Sequence, residues 1–369
     1  MKICQITYSG FGGLGSVVFS LISGDQDRIH SWPIGFIGEK PLDSFYRKQS
    51  NDLCLEFQNF QFKPKKPIIA WFQLFQWLHK LKPDIIICHT LNPILICKIY
   101  SLISSTPLVS VAHTSNIVKP WREKLMSLFS IMFSKKIILL TEEYKSQLSN
   151  SYGVFFPISK IEVIPNGIDT NIFYPKDILI GKKLKYKIGM AGRFSFSKRQ
   201  DLLISVMQYI FLKYPEIDIE LHLAGDGENH NALQDLVSSI DKPSMVIFNG
   251  LLNETDIGPW MRDLDIYVHA TEGETLSTSL LQAMASSLPI VASDVTGVKN
   301  LIGINEQFGY CVPNNKEAFA EKIYQLIIEI ENGKNVNSSS ARDFVKSNYS
   351  HTLMHKRYIK LIDKISRSI

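Results

Sequence analysis

Three short segments of the 369-residue chain carry residue types suited to holding a phosphate and a sugar. In Met190-Ala191-Gly192-Arg193-Phe194-Ser195-Phe196-Ser197-Lys198-Arg199 an arginine and a lysine five residues apart leave an apolar run and enter a helical pattern at Asp201. The planar fork of Arg193 and the compact charge of Lys198 can straddle a diphosphate. Taken alone, the pair reads more readily as two solvated surface charges. In Glu272-Gly273-Glu274-Thr275-Leu276-Ser277-Thr278-Ser279-Leu280-Leu281-Gln282 an acidic loop runs into a helix whose first turn is small and hydroxylated. Free amides of Leu276, Ser277 and Thr278 can hold phosphate oxygens there, while Glu274 faces sugar hydroxyls or positive charge. Gln282, eight residues after Glu274, falls about two helical turns along and can reach a ribose. A capped amphipathic helix explains Ser277 and Leu280 but not Glu272 and Glu274. Gly12-Gly13-Leu14-Gly15, between an apolar run and a helical stretch, is either an anion site at a helix start or a tight turn that only glycine permits.

The elements that must position these loops are legible as alternation. Short apolar runs alternate with longer amphipathic stretches along nearly the whole chain, the pattern of βαβ units and parallel sheets. One series opens at residues 2–7, continues through 85–88, 108–111 and 136–140, and closes near 161–167. Residues 168–187, with Pro175, Gly181 and a lysine cluster, read as a linker. A second series runs through 187–191, 219–223, 245–248, 266–268 and 289–292. Apolar residues at helical spacing follow at Ala318, Phe319, Ile323, Leu326, Ile327 and Ile330, and again at Tyr358, Leu361, Ile362 and Ile365. The reading is an α/β protein of two doubly wound parallel-sheet domains facing across a cleft. Ligands are expected beyond the carboxyl ends of the strands.

Composition excludes disordered and fibrous classes: 45% of residues are hydrophobic and 20% charged. The net charge of +5 is too small to mark a nucleic-acid binder. Its distribution is uneven, with 18 basic against 12 acidic side chains in residues 1–170 and 22 against 23 in the remainder. A basic first half suits an anionic partner such as phospholipid headgroups. The five cysteines form no C-x-x-C pair and mostly lie in apolar stretches, as buried free thiols in a reducing compartment do. No stretch reads as a signal peptide or a membrane span, so a cytoplasmic protein is expected, able to lie on the inner face of the cytoplasmic membrane.

The order Ala191-Gly192-Arg193 to Lys198, then Leu223-Ala224-Gly225-Asp226-Gly227-Glu228, then Glu274 to Gln282-Ala283-Met284-Ala285, then Leu288-Pro289-Ile290-Val291-Ala292, resembles retaining glycosyltransferase family four, of GT-B fold. Val163-Ile164-Pro165-Asn166-Gly167-Ile168-Asp169 and Phe173 resemble its interdomain connection, and Ser110-Val111-Ala112-His113-Thr114 the strand end where it places an active-site histidine. The resemblance implies two Rossmann-like domains, an acceptor domain over residues 1–170 and a nucleotide-sugar donor domain over 171–349, with a closing helix at 350–369 packed back on the first. It implies transfer of a sugar from a UDP- or GDP-sugar, with retention and without a bound metal or other cofactor. Arg193 and Lys198 then bind the leaving diphosphate, Glu274 holds donor-sugar hydroxyls, and His113 meets the donor near its reacting face. Gly12, Gly13, Gly192 and the amides of Thr275, Leu276, Ser277 and Thr278 complete the phosphate cradle. Gly250 and Leu251 lie in a donor-base loop. The implied acceptor is a glycan or lipid-linked glycan of surface polysaccharide such as O-antigen, capsule or lipopolysaccharide.

This sequence departs from the family pattern at three places. Gln282 stands where the family has a glutamate for the ribose hydroxyls, so it can both accept and donate but carries no charge. Thr275 and Ser277 stand at frequent glycine positions, and Ser286-Ser287 at a small-glycine pair. A nucleotide-sugar 2-epimerase of the same fold and a catalytically silent nucleotide-sugar-binding subunit are the rival readings. His351 and His355, four apart, lack the third ligand a metal needs. Asp263-Leu264-Asp265 reads as polarity at a strand entry, and His89 as a core histidine or a ligand. Lys63, Lys65 and Lys66 before Trp71, Phe72, Phe75 and Trp77, and Lys119, Trp121, Arg122 and Lys124 before Phe129, Met132, Phe133, Lys135 and Lys136, read as core faces or as basic interfacial helices.

Overall fold

The computed structural model describes residues 1–64, 66–113, 121–153, 156–176, 183–303, 306–334 and 339–367, with only the backbone of Arg122. Lys65, Thr114, Lys119, Gly181 and the Arg122 side chain, all invoked above, lie outside the described residues. The chain divides into two compact units, Met1–Gly167 with His351–Ile369, and Ile168–Ser350.

The first unit is a seven-stranded parallel sheet ordered β3-β2-β1-β4-β5-β6-β7. Its strands are β1 (Ile3–Tyr8), β2 (Ile34–Gly38), β3 (Phe57–Gln61), β4 (Ile85–Cys88), β5 (Leu108–Ala112), β6 (Lys136–Leu139) and β7 (Ile161–Val163). The helices between them are α1 (Gly13–Ser23), α2 (Ser44–Asp52), α3 (Ile68–Leu81), α4 (Ile94–Ser104), α5 (Trp121–Phe133) and α6 (Glu142–Tyr152). Central strands such as Ile85-Ile86-Ile87-Cys88 are buried along their whole length, because helices cover a parallel sheet on both faces. Of the stretch left open above between core face and interfacial helix, Trp77 belongs to this core against Phe60, whereas Phe72 of the same helix is exposed.

The second unit is a six-stranded parallel sheet ordered β10-β9-β8-β11-β12-β13. Its strands are β8 (Tyr186–Ala191), β9 (Ile219–Ala224), β10 (Val246–Gly250), β11 (Ile266–His269), β12 (Ile290–Ser293) and β13 (Tyr310–Val312). Its helices are α7 (Gln200–Lys213), α8 (His230–Ser238), α9 (Glu254–Asp263), α10 (Thr278–Ala285), α11 (Thr296–Ile302), α12 (Lys316–Glu331) and α13 (Ser339–Asn348). The last helix, α14 (His351–Ser366), returns to the first unit. It buries Met354, Tyr358, Leu361, Ile362 and Ile365 along one stripe, and His355 Nδ1 lies 3.1 Å from the Leu21 carbonyl of α1. Gly24 is needed beneath it, since a Cβ there would stand 2.4 Å from that of His355.

The reading of residues 168–187 as a linker needs correction over its described part. Ile168 and Phe173 are buried, and the Arg342 guanidinium donates to the carbonyls of Thr170, Phe173 and Ala285. An apolar anchor and a satisfied arginine hold this stretch on the second unit. Asp265, at the entry to β11, accepts from Lys176 (3.0 Å), from Lys183 and from the Lys187 amide (3.0 Å). Burial raises its pKa, but these donors outweigh that and hold the carboxyl below its usual range.

Candidate active site

In each sheet the strand order reverses beside the first strand of the unit, between β1 and β4 and between β8 and β11. Loops diverge at such a switch point and leave a crevice at the carboxyl ends. The candidate residues leave the sheets at these two places.

In the second unit the loop after β8 and the loop after β11 are fastened together. The Glu272 amide donates to the Ser197 carbonyl (2.8 Å), and the Thr271 hydroxyl donates to the same carbonyl (2.9 Å). Two ion pairs run beside this seam, Lys198 with Glu274 and Arg199 with Glu272. The acidic pair that a capped helix left unexplained is therefore matched by two adjacent cations. Arg199 has φ +42°, a left-handed conformation unusual for a non-glycine residue, and it also pairs with Asp201 (3.2 Å).

Lys198 and Glu274 are both mostly buried. Beneath them lies His269, the last residue of β11, fully buried, with Nε2 3.5 Å from Glu274 Oε2. Burial acts to raise the Glu274 pKa, and His269 and Lys198 overcome it, drawing the carboxyl down to about 2. Burial lowers the pKa of His269, which is therefore a neutral imidazole. Among the described residues its Nδ1 has no hydrogen-bond partner, while its Nε2 faces the Glu274 carboxylate. The Glu274 backbone is set by Gly297 of α11, where a Cβ would fall 1.9 Å from the Glu274 carbonyl oxygen. The Tyr267 hydroxyl lies 3.3 Å from both the amide and the carbonyl of Ala191 and ties the end of β8 to β11. Burial pushes its pKa up to about 12.

Helix α10 begins at Thr278 with Ser277 as its cap, whose hydroxyl accepts from the Leu280 amide (3.3 Å). Among the described residues the first-turn amides left without a partner are consequently those of Thr278 and Ser279, while Leu276 and Ser277 are buried. Glu274 lies outside the helix, so the two-turn spacing to Gln282 does not put the two on one helical face. Gln282 sits in the second turn, half-buried. Arg193 does not join Lys198: it is largely exposed and pairs with Glu228 at 3.0 Å, while the intervening Phe194 is fully buried. A Cβ on Gly192 or Gly250 would meet open space. The Gly250 carbonyl accepts from the Gly225 amide (2.8 Å), and Gly225 approaches Gly192 so closely that a Cβ would lie 2.0 Å from its carbonyl oxygen. Leu251 is exposed.

The switch point of the first unit is built from a glutamine and two histidines. Gln5 of β1, His89 after β4 and His113 after β5 form a chain, with His89 Nε2 2.8 Å from Gln5 Oε1 and His89 Nδ1 3.0 Å from His113 Nε2. The two imidazoles stack at 5.3 Å. Burial, and secondarily the neighbouring His113, push His89 well below its ordinary pKa, so it is neutral. An acceptor on Gln5 requires the His89 proton on Nε2, leaves Nδ1 as an acceptor, and puts a proton on Nε2 of His113. In the glycine turn the Gly12 amide donates to the Tyr46 hydroxyl (3.1 Å), which in turn donates to the Gly12 carbonyl. The backbone of Gly12 is thereby satisfied internally, and a Cβ at either Gly12 or Gly13 would meet nothing. Gly15 serves packing, since a Cβ there would lie 2.2 Å from the Tyr46 ring.

Residues 12–172 match the family described as Glycosyltransferase Family 4, and residues 185–329 match Glycosyl transferases group 1. The chain belongs to glycosyltransferase family four. The O-antigen biosynthesis glycosyltransferase WclY of Escherichia coli is 23% identical over 311 residues, covering 80% of each chain. The phosphatidylinositol N-acetylglucosaminyltransferase GPI3 subunit of Saccharomyces cerevisiae is 25% identical over 265 residues, 68% of this chain and 55% of the yeast protein. The chain spans about half the length of most curated relatives it matches. Anabaena HepE, solved with UDP-glucose, superposes with a TM-score of 0.81 over 100% of both chains at 18% identity, and the fold is GT-B.

Against the family-four pattern, the structure brings together Lys198 and Glu274, gives Arg193 another partner, and seats His113 at the end of its strand. Sequence reasoning missed Arg199, His269, Gln5 and Tyr46, and left His89 undecided. Two of these had a signal. Lys198-Arg199 beside Glu272-x-Glu274 offers two complementary charge pairs, and His269, like His89, closes an apolar strand run.

Proposed function

We propose that this protein is a retaining, metal-independent glycosyltransferase that moves a sugar from a UDP- or GDP-sugar to a glycan or lipid-linked acceptor of surface polysaccharide. It is proposed to work in the cytoplasm, in peripheral contact with an anionic membrane. The observation that carries the reading is the half-buried Lys198 and Glu274 pair in the loops after β8 and β11, followed by the first-turn amides of α10 at Thr278 and Ser279. When the anomeric carbon–oxygen bond breaks, the electron pair and negative charge pass to the diphosphate. A fixed ammonium and aimed amides stabilise that charge more in the transition state than in the ground state. Glu274, held ionised, accepts from donor-sugar hydroxyls, and Lys198 can exchange carboxylate for phosphate without losing an anionic partner. The acceptor oxygen forms the new bond on the face the diphosphate leaves, and its proton goes to a departing phosphate oxygen. His113, its Nε2 proton fixed by His89, is assigned to donor-sugar oxygens near that carbon. The UDP complexes of HepE and the polysaccharide role in the name of WclY support the donor and acceptor classes.

Thermal stability against UDP-, GDP-, ADP- and CMP-sugars, with Lys198→Ala as control, tests the donor site, because a ligand that binds only the folded protein raises its melting temperature. A rise for one nucleotide class, lost in the variant, is expected. No rise with any of them overturns the donor reading. Incubating the bound sugar nucleotide without acceptor separates the epimerase, which would invert a stereocentre of the free donor.

A further inference from the structure

At the amino-terminal ends of β5, β6 and β7, the opposite edge of the first sheet from His113, lies a cavity of about 350 Å³. Lys98 of α4, Lys135 before β6 and Lys160 before β7 line it, and no carboxylate does. Among the described residues neither Lys98 nor Lys135 has an ion-pair partner, and Lys160 donates only to the Met132 carbonyl (2.8 Å). Like charges converge here without a counter-charge, which raises the local positive potential. Ser134, also in the wall, is 2% exposed, and its hydroxyl has no hydrogen-bond partner. A buried hydroxyl without a partner is uncommon, and an oxyanion entering the cavity supplies one.

The rim is apolar. Leu102 and Ile103 on the last turn of α4 are 68% and 67% exposed, and Met132 and Phe133, on the last turn of α5, line the same cavity and are more than 40% exposed. A basic, hydroxylated hole bordered by outward-facing aliphatic and aromatic side chains has the layout of a membrane interface, with phosphates at the cations and acyl chains against the apolar turns. A soluble phosphate would need the cations but not the rim.

We propose that this cavity binds the phosphate headgroup of an anionic phospholipid and seats the first unit on the bilayer through the ends of α4 and α5. The proposal rests on the peripheral membrane contact proposed above and specifies its surface. Co-sedimentation with vesicles of phosphatidylcholine alone, and of phosphatidylcholine mixed with phosphatidylglycerol, tests it. The wild type is expected to bind the mixed vesicles, and Lys98→Gln with Lys135→Gln to weaken binding about thirtyfold, from roughly fivefold per lysine near an anionic surface. The control, Lys40→Gln with Lys48→Gln, removes equal charge from exposed positions of the same unit and is expected to cost much less. Leu102→Ser with Ile103→Ser is expected to weaken binding as well. If the wild type binds neither vesicle, both the membrane contact and the cavity assignment fall. If it binds the mixed vesicles and the cavity variant binds equally well, or the control loses as much, the cavity assignment alone falls. Saturable stabilisation by inorganic phosphate that is lost in the cavity variant, with vesicle binding untouched, assigns the site to free phosphate and overturns the lipid. The nucleotide-sugar shift is expected to be the same in all these variants.

Discussion

The two sheets reverse strand order at equivalent places, yet the loops at those places are held by opposite means. In the second unit, charge holds charge: Lys198 with Glu274, Arg199 with Glu272, and a neutral His269 beneath. In the first unit a hydrogen-bonded relay, Gln5 to His89 to His113, and a tyrosine clasp on Gly12 do the work. The topology supplies the place and the loop chemistry supplies the task. A paired cation can be handed to a phosphate, whereas a hydrogen-bonded relay fixes a proton and an orientation.

The contrast is broken most sharply at Lys198. Lys198→Ala is expected to lower turnover at least about tenfold and, by stranding Glu274 in a buried site, to cost about 3 kcal/mol of stability. Lys198→Met with Glu274→Gln should regain much of that stability in denaturant titration while turnover stays low. Wild-type turnover in Lys198→Ala would remove its catalytic role.

Acid sharpens the same difference. The Glu274 pKa is lowered from 4.5 to about 2, so between those values the unfolded chain takes up the proton first and stability falls with pH. The loss expected across that window is on the order of 3 kcal/mol. Melting temperatures read at a series of pH values should show it, and Glu274→Gln should flatten the curve there. An unchanged slope would mean that Glu274 is not held ionised by its neighbours.

A smaller effect is expected from the histidine relay. His89→Phe removes the acceptor that fixes the His113 proton, and a loss of about one hydrogen bond, roughly fivefold, should appear in kcat with little change in donor KM. A loss confined to KM would reassign the relay to binding. Smallest is the structural effect of Arg193→Ala, which breaks an exposed pair with Glu228 and should change stability by less than about 0.5 kcal/mol. Its turnover then reports ligand contact alone, because the fold is not perturbed.

Much of the fold was legible, since buried parallel strands write themselves as uninterrupted apolar runs such as Ile85-Ile86-Ile87 and Pro289-Ile290-Val291-Ala292, spaced by helical periodicity. The loops carrying Lys198 and Glu274 were also legible, because strand ends can be placed from those runs. What stayed hidden depends on distance in space. Nothing in the order of residues says that Tyr46 reaches Gly12 across 34 positions, or that Gln5 and His89 meet across 84. The helix start misled as well: Glu274 and Gln282 were counted as two turns apart along one helix, whereas the chain enters α10 only after the Ser277 cap. The exposed last turn of α4 left no mark either, because an apolar pair such as Leu102-Ile103 does not by itself say whether a partner covers it.

The second unit begins and ends at one point, where Ile168 and Ser350 pair in a parallel bridge and the Ile168 amide donates to the Tyr349 carbonyl (2.9 Å). In the first unit the matching cut ends also meet, the Gly167 amide lying 3.1 Å from Met354 Sδ. One domain is thus spliced as a whole into a loop of the other, with entry and exit side by side. Such an insert can be excised as a single contiguous gene segment, and the host resealed by a short linker, because the loop that must be closed is already almost closed.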